Sequence, residues 1–430
     1  MKHIFAITTL FFSMNLIGQD KPKWDVNNPP GISKEVSFST NEGTWMNLDV
    51  SPDGNTVAFD MLGDIYTMPV SGGTATAIRS GLAWEVQPRW SPDGKKILFT
   101  SDSAGGDNIF HMDADGKNVK QITKESFRLL NNAIWMPDGQ YIIARKHFTS
   151  GRSLGAGEMW MYHISGGEGI QLTKRKNDQQ DVNEPTISPD GKMLYYSEDV
   201  YPGGYFQYNK DPNSEIFVIN SYNMETGETK RVTGGPGGAC RPQISNKGDK
   251  IAYVRRVREK SVLYIYEIST GKEWAIYEGL SKDQQEAWTV FGIYTGFDWM
   301  PDDKEIVIWA KGKIIKINIA DKKATDIPFT VNAKHKLMET VQFENKAYEE
   351  AFDVKVLRNA ITSPDGNKLV FSALGYLYVS QNGNTPERLT KGTDFEAEPQ
   401  FNAKGDQIVY VTWNDESLGK IQIYNLNTKK

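Results

Sequence analysis

"VQPRWSPDGKKILFTSDSAGGDNIFHMDADGKNVKQIT", residues 86–123, contains a complete four-strand unit. A short strand, "PRWS", runs into Pro92-Asp93-Gly94, where proline presets the turn dihedral, aspartate bonds back to the backbone and glycine takes the positive φ. "KILFT" and "NIFHM" follow as strands with apolar faces, and "DADG" turns the chain into "VKQIT". The stretch therefore reads as four antiparallel strands joined by hairpins.

The unit recurs along the chain. SPDG stands at Ser51, Ser91, Ser188 and Ser363, MPDG at Met136, and degenerate copies begin at Ser245, Met300 and Asn402. Eight units whose starts lie 39 to 63 residues apart are the mark of a β-propeller, in which each repeat forms one blade that cannot bury its faces alone. The expected fold is all-β: four-stranded antiparallel blades, about eight of them, with seven as the alternative count. The eighth unit ends at "KIQIYNLN" without a fourth strand, while "KEVSFST", residues 34–40, has no blade of its own. Pairing the two hides an open edge, so the N-terminal strand is expected to close the last blade.

Composition fits an ordinary folded protein. The 430 residues are 39% hydrophobic, and 49 Lys and Arg face 54 Asp and Glu, with the signs interleaved. That balance argues against a nucleic-acid partner. Lys2 and His3 precede an apolar run from Ile4 to Ile17, followed by Gly18 and Gln19. This reads as a secretory signal peptide over residues 1–18, too short to span a membrane, with a linker over 19–33 and the propeller over 34–430. An exported chain with the single cysteine Cys240 must be stabilised by packing, without internal disulfides.

The PDG turns, the "QIT" and "RLT" fourth strands and the "QPRW" and "EPQF" first strands resemble the TolB-type propeller repeat, a relative of WD-type repeats. "FSTNEGTWMNLDVSPDGNTVAFDMLGDIYTMPVSGG", "RSLGAGEMWMY" and "EEAFDVKVLRNAITSPDGNKLVFSALGYLYV" are similar to the N-terminal propeller of exported TolB-like amidohydrolases. In those proteins a metal-dependent barrel follows the propeller. The resemblance implies that zinc or another divalent metal belongs to such a barrel, and that this chain itself carries no cofactor and no catalytic residues. A barrel of this kind needs clustered histidines, typically opened by an H-x-H pair, and no H-x-H occurs.

Several residues invite a chemical role. Gly151-x-Ser153-x-Gly155 has the spacing of a hydrolase nucleophile elbow, with His147 six residues back. An elbow lies between a strand and a helix, whereas "YIIARKH" and "EMWMYHI" both read as strands, so Ser153 is expected on a loop without catalytic function. His111 and His163 hold third-strand positions that the repeat explains, and His335 stands in an insertion. The residue before proline in four first strands is polar: Gln87, Glu184, Arg241 and Glu398. First strands line the channel, so these four are candidates to ring one mouth and bind a peptide or glycan. Tyr201, Tyr205, Phe206 and Tyr208, in the insertion 198–215, are candidates for an exposed contact surface. The insertion 330–356 is expected to form an extra strand pair or short helix.

Together these features predict a non-catalytic, exported binding or scaffold module. Its partner is an amidohydrolase domain or an envelope protein. A hydrolase working through a separate catalytic domain is the alternative.

Overall fold

The computed structural model describes residues 24–127, 129–148, 156–202, 210–287, 289–340 and 348–430. They are all-β and fall into two compact units, Met1–Thr340 and Val341–Lys430. Each is described by itself.

In the first unit six four-stranded antiparallel sheets follow one another as blades. Blade one is built from Leu48–Val50, Thr56–Met61, Asp64–Pro69 and Thr76–Arg79. Blade two uses Glu85–Trp90, Lys96–Ser101, Asn108–Asp113 and Lys120–Gln121. Blades three to six occupy 129–171, 182–233, 240–277 and 298–327. The turns explain the recurring tetrapeptide. Ser51 Oγ donates to Asp53 Oδ1 at 2.6 Å, the Asn55 amide donates to the same oxygen, and Ser51 Oγ accepts the Thr56 amide. Ser91 with Asp93 and Ser188 with Asp190 repeat this arrangement, and the donors hold those aspartates below their ordinary pKa. They are turn formers.

Blades stack through apolar faces. Ala58 of blade one packs with Ile97 and Phe99 of blade two, and Leu98 of blade two with Ile142 of blade three. Each such buried aliphatic side chain stabilises the fold by roughly 1.5–3 kcal/mol. The ring closes at six: Val307 of blade six shares one core with Val57 and Phe59 of blade one. Backbone bonds from the Leu48 amide to Gly296 O and from the Gly43 amide to Gly312 O complete the seam.

The second unit contains two sheets of the same design. Sheet seven is Arg358–Thr362, Lys368–Ala373, Tyr376–Gln381 and Glu387–Arg388; sheet eight has three strands, Phe395–Phe401, Gln407–Asn414 and Leu418–Asn425. Eight propeller-type sheets are thus present, at the positions of the eight turns.

The expectation that the N-terminal strand closes the last blade is corrected. Strand Ser33–Thr40 pairs antiparallel with Phe329–Met338 over its whole length, from Ser33 opposite Met338 to Thr40 opposite Val331. Phe329–Met338 also pairs in parallel with Gly73–Thr74. Phe329, Val331 and Ala333 alternate into the core of the six-bladed unit, which is why the clasp forms there. Of the insertion after blade six, the part up to Met338 is therefore a strand, and its partner is the N-terminal strand.

Candidate functional site

The innermost strands of blades two to five each carry a bulge four residues before the turn. The ladder shifts register between Val86 and Arg89, Asn131 and Ile134, Asn183 and Thr186, and Cys240 and Gln243. Gln87, Asn132, Glu184 and Arg241 sit at these bulges with φ between 50° and 60°. A left-handed residue at a bulge re-aims its side chain, and here the side chains converge on the channel axis. Gln87 Nε2 donates to Asn132 Oδ1 at 3.0 Å, Arg241 Nη1 donates to the same oxygen at 3.1 Å, and the Arg241 amide donates to Glu184 Oε2 at 2.6 Å.

Three of the four residues singled out in the sequence, Gln87, Glu184 and Arg241, are thus brought together and buried. Glu398 occupies the same bulge in sheet eight of the other unit, where its Oε1 accepts from Asn359 at 2.8 Å. Asn47 and Asn132 belong to the ring but precede leucine and alanine, so a search for polar residues before proline passes over them. Counting four residues back from each turn finds them.

This mouth is filled by the chain itself. The segment leading into blade six, residues 289–296, crosses it. Gln87 Nε2 donates to Phe291 O at 2.7 Å, Asn183 Nδ2 to Thr289 O at 3.1 Å, and Arg241 Nε to Tyr294 O at 2.8 Å. Glu184 Oε1 accepts the amides of Ile293 and Tyr294, and Asn47 Oδ1 accepts the Gly296 amide. Gly292, at φ 114°, is needed for the close approach, since a Cβ there would lie 2.4 Å from Arg241 Nη2. Arg256 anchors the start of the plug by bonding Asp283 at 2.8 and 2.6 Å and Glu286 at 3.1 and 3.2 Å. Burial lowers the Arg241 pKa to about 10, against the pull of Glu184.

The opposite mouth, on the side of the turns, holds a cavity of about 350 Å³. Its floor is made by the residues two before each turn: Asp49, Arg89, Ile134, Thr186, Gln243 and Asp298. Trp90, Trp135 and Trp299 form the wall, with Pro52, Pro92 and Pro189 at the rim. Arg89 Nη1 donates to Asp49 Oδ1 at 2.8 Å, the Trp90 amide to Asp49 Oδ2 at 2.6 Å, and Gln243 Nε2 to Asp298 Oδ1 at 2.9 Å. Burial pushes the Asp49 carboxyl up, with Arg89 opposing. Burial and then the charge of Asp49 push Asp298 well above the ordinary carboxylate range. The charge on Asp49 makes it harder for Asp298 to ionise. The mouth thus offers one arginine, two carboxyls pushed up in pKa, two neutral polar groups and three indoles, an arrangement suited to binding.

The remaining candidates lie elsewhere. Tyr201 is buried, with its amide on Asp199 Oδ1 at 2.8 Å, which corrects its expected place on an exposed surface. Tyr205, Phe206, Tyr208 and Ser153 lie outside the described residues. His111, His147, His163 and His335 fall on four different strands. Among the described residues no three His, Cys, Asp or Glu side chains are grouped to hold a metal ion, so the donors present do not fit a zinc site. No helix among the described residues is long and apolar enough to cross a membrane.

A ring of four-stranded antiparallel blades with repeated aspartate turns is the architecture of a β-propeller. The TolB beta propeller domain family matches residues 33–208. The uncharacterized peptidase YuxL of Bacillus subtilis is 31% identical over 153 residues, covering 34% of this chain and 20% of that protein. The Tol-Pal system protein TolB of Francisella tularensis subsp. mediasiatica is 23% identical over 235 residues, covering 53% of this chain and 49% of that one. Among solved structures, TolB from Acinetobacter baumannii superposes with a TM-score of 0.48 at 17% identity, over 68% of this chain and 65% of that one. The matches thus span a fifth of the peptidase and about half of the Francisella TolB.

Proposed function

We propose that this chain is a non-catalytic, exported binding module that receives its ligand at the turn-side mouth of the six-bladed channel. One observation carries the reading: residues 289–296 bond to the polar ring at one mouth, while Asp49, Arg89, Thr186, Gln243 and Asp298 floor an open cavity at the other. A site with one entrance, aromatic walls and fixed polar groups selects and holds a peptide, a glycan or the tip of a protein. The likeness to TolB supports an envelope protein as partner and the periplasm as the location. The resemblance of residues 38–73 to propellers of TolB-like amidohydrolases makes a metal-dependent amidohydrolase domain the second partner to test.

Purified mature chain is to be assayed for capture of envelope proteins and of separately expressed amidohydrolase domains. Capture by the native chain that is lost in Thr186→Trp, which fills the cavity, is the expected result; capture unaffected by that change places the site elsewhere. Hydrolysis of amide or ester substrates, stimulated by zinc and surviving replacement of Ser153 and His147, overturns the non-catalytic reading.

A further inference from the structure

The turn-side cavity is unevenly charged. Of the residues that line it, Asp49, Arg89 and Asp298 carry charge, as two carboxyls against one guanidinium. Arg89 and Asp49 complete each other. Arg89 Nη1 donates to Asp49 Oδ1 at 2.8 Å, and the other Asp49 oxygen accepts the Trp90 amide at 2.6 Å. Asp298 is the carboxyl left over. Among the described residues its donors are neutral, Gln243 Nε2 at 2.9 Å and the Val50 amide at 3.3 Å. A carboxyl that takes no cation from its own chain, on the floor of an aromatic-walled cavity, is placed to meet the charge of a ligand.

The shape of the cavity restricts what can carry that charge. Asp298 stands two residues before Met300, which opens its turn, so the floor lies about 7 Å of strand below the turns. Between floor and rim the wall is apolar, with one residue from each blade: Val50, Trp90, Trp135, Ile187, Ile244 and Trp299. An acid at the end of an apolar shaft is matched by a charge at the end of an apolar stem. Lysine has that form, a compact ammonium on four carbons. The planar fork of arginine asks for paired acceptors, and each Asp298 oxygen already accepts one bond.

We propose, on the reading of this mouth as the binding site, that its ligand is a lysine side chain of a partner protein, with the ammonium group donating to the Asp298 carboxylate and the stem lying along the apolar wall. The charged groups that face Asp298 are Asp49 and Arg89. In the empty cavity burial and then the Asp49 charge favour the protonated form of Asp298, with Arg89 opposing. The incoming ammonium takes the place of that proton, which leaves to solvent, so the total charge in the cavity stays as it was. Binding therefore strengthens as pH rises.

NMR titration of the indole N–H groups of the full chain tests this, with acetyl-Ala-Lys-Ala-amide and with the same peptide carrying norleucine or glutamate in place of lysine. The lysine peptide is expected to bind about tenfold tighter than the norleucine peptide. That preference should grow from about pH 5 to about pH 8 and vanish in Asp298→Asn. The pH series on the native chain reads the carboxyl without any substitution, should Asp298→Asn fail to fold. Norleucine or glutamate peptide that binds as tightly as the lysine peptide, and is blocked by Thr186→Trp, overturns the lysine assignment and leaves the cavity as the site. A lysine preference that persists in folded Asp298→Asn, or that does not change with pH, also overturns it. Binding indifferent to Thr186→Trp, or no binding of any of the three peptides, overturns the assignment together with the site.

Discussion

Arg241 Nε lies 3.3 Å from Glu184 Oε1, and both side chains are buried on the channel axis. The pair faces residues 293–294 of its own chain. It holds the plug, because the same carboxylate oxygen accepts the Ile293 and Tyr294 amides and Arg241 Nε donates to Tyr294 O. Glu184→Ala therefore leaves a buried guanidinium without its counter-charge and the Ile293 and Tyr294 amides without their acceptor. The expected cost is about 3–5 kcal/mol, read as a lowered urea midpoint of unfolding.

The other end of the plug depends on Arg256 and Asp283. Despite burial, the hydrogen bonds from Arg256 and Ser261 hold the Asp283 carboxyl below its ordinary pKa. Asp283→Ala is expected to free the segment before it frees the blades. Amides at 289–296 should exchange with solvent faster, while those of blade two, remote in sequence and separately packed, keep their protection. Uniform loss of protection across the ring would show that plug and blades unfold together.

Asp49 and Asp298 give the channel a pH dependence of the opposite sign. Both carboxyls are pushed up in the folded state, so the folded chain binds protons more tightly than the unfolded chain. Their contribution to stability is then greatest below the ordinary carboxyl value of 3.8 and declines as pH rises through the window above it. Asp298→Asn replaces one of these carboxyls by an amide that does not ionise. It is expected to flatten this part of the pH profile and to raise stability at about pH 8, measured by urea unfolding across the range. A profile unchanged by the substitution would locate the titration elsewhere.

His111 supplies an independent acid limb. Burial, with help from the charges of Lys96 and Lys120, lowers its pKa from 6.5 to about 4. The unfolded chain then binds the proton more readily, so stability falls as pH drops through that window and the effect is complete below it. His111→Gln is expected to remove this loss while leaving the decline above the carboxyl range in place.

The parts of the fold that were legible in the sequence are those written locally. Ser51, Asp53 and Gly54 make a turn from their own atoms, and the alternation in "KILFT" and "NIFHM" states which face is buried. Sheet positions followed from these. Blade closure is not local. Residues 34–40 and the unpaired third strand of sheet eight looked complementary because both lacked a neighbour, yet Val57 and Phe59 fit the Val307 face of blade six, and the ring closed without them. The channel floor was legible but unused. Asp49, Arg89, Thr186, Gln243 and Asp298 each stand two residues before a turn, but only the residues before proline were singled out. The plug has no repeat signature at all, since the described residues between Asp283 and Gly296 form no strand, and only its partners in the ring define it.

The clasp between Ser33–Thr40 and Phe329–Met338 separates the contribution of the ring from that of the chain around it. Phe38 stacks on His335 with ring centroids 5.9 Å apart, while most of the N-terminal strand faces solvent. Its removal therefore forfeits backbone pairing along eight residues and the partial burial of Val36 and Phe38, on the order of 2 kcal/mol in apolar contact. Phe329, Val331 and Ala333 keep their places in the core of the six-bladed unit. A chain beginning at Asn41 should consequently fold, with a modestly lower Tm and plug amides protected as in the native protein. It also leaves one edge of Phe329–Met338 unpaired, an exposed template for another strand. Light scattering on heating should then rise earlier than in the native chain. A truncated chain that fails to fold would show that the N-terminal strand takes part in closing the ring.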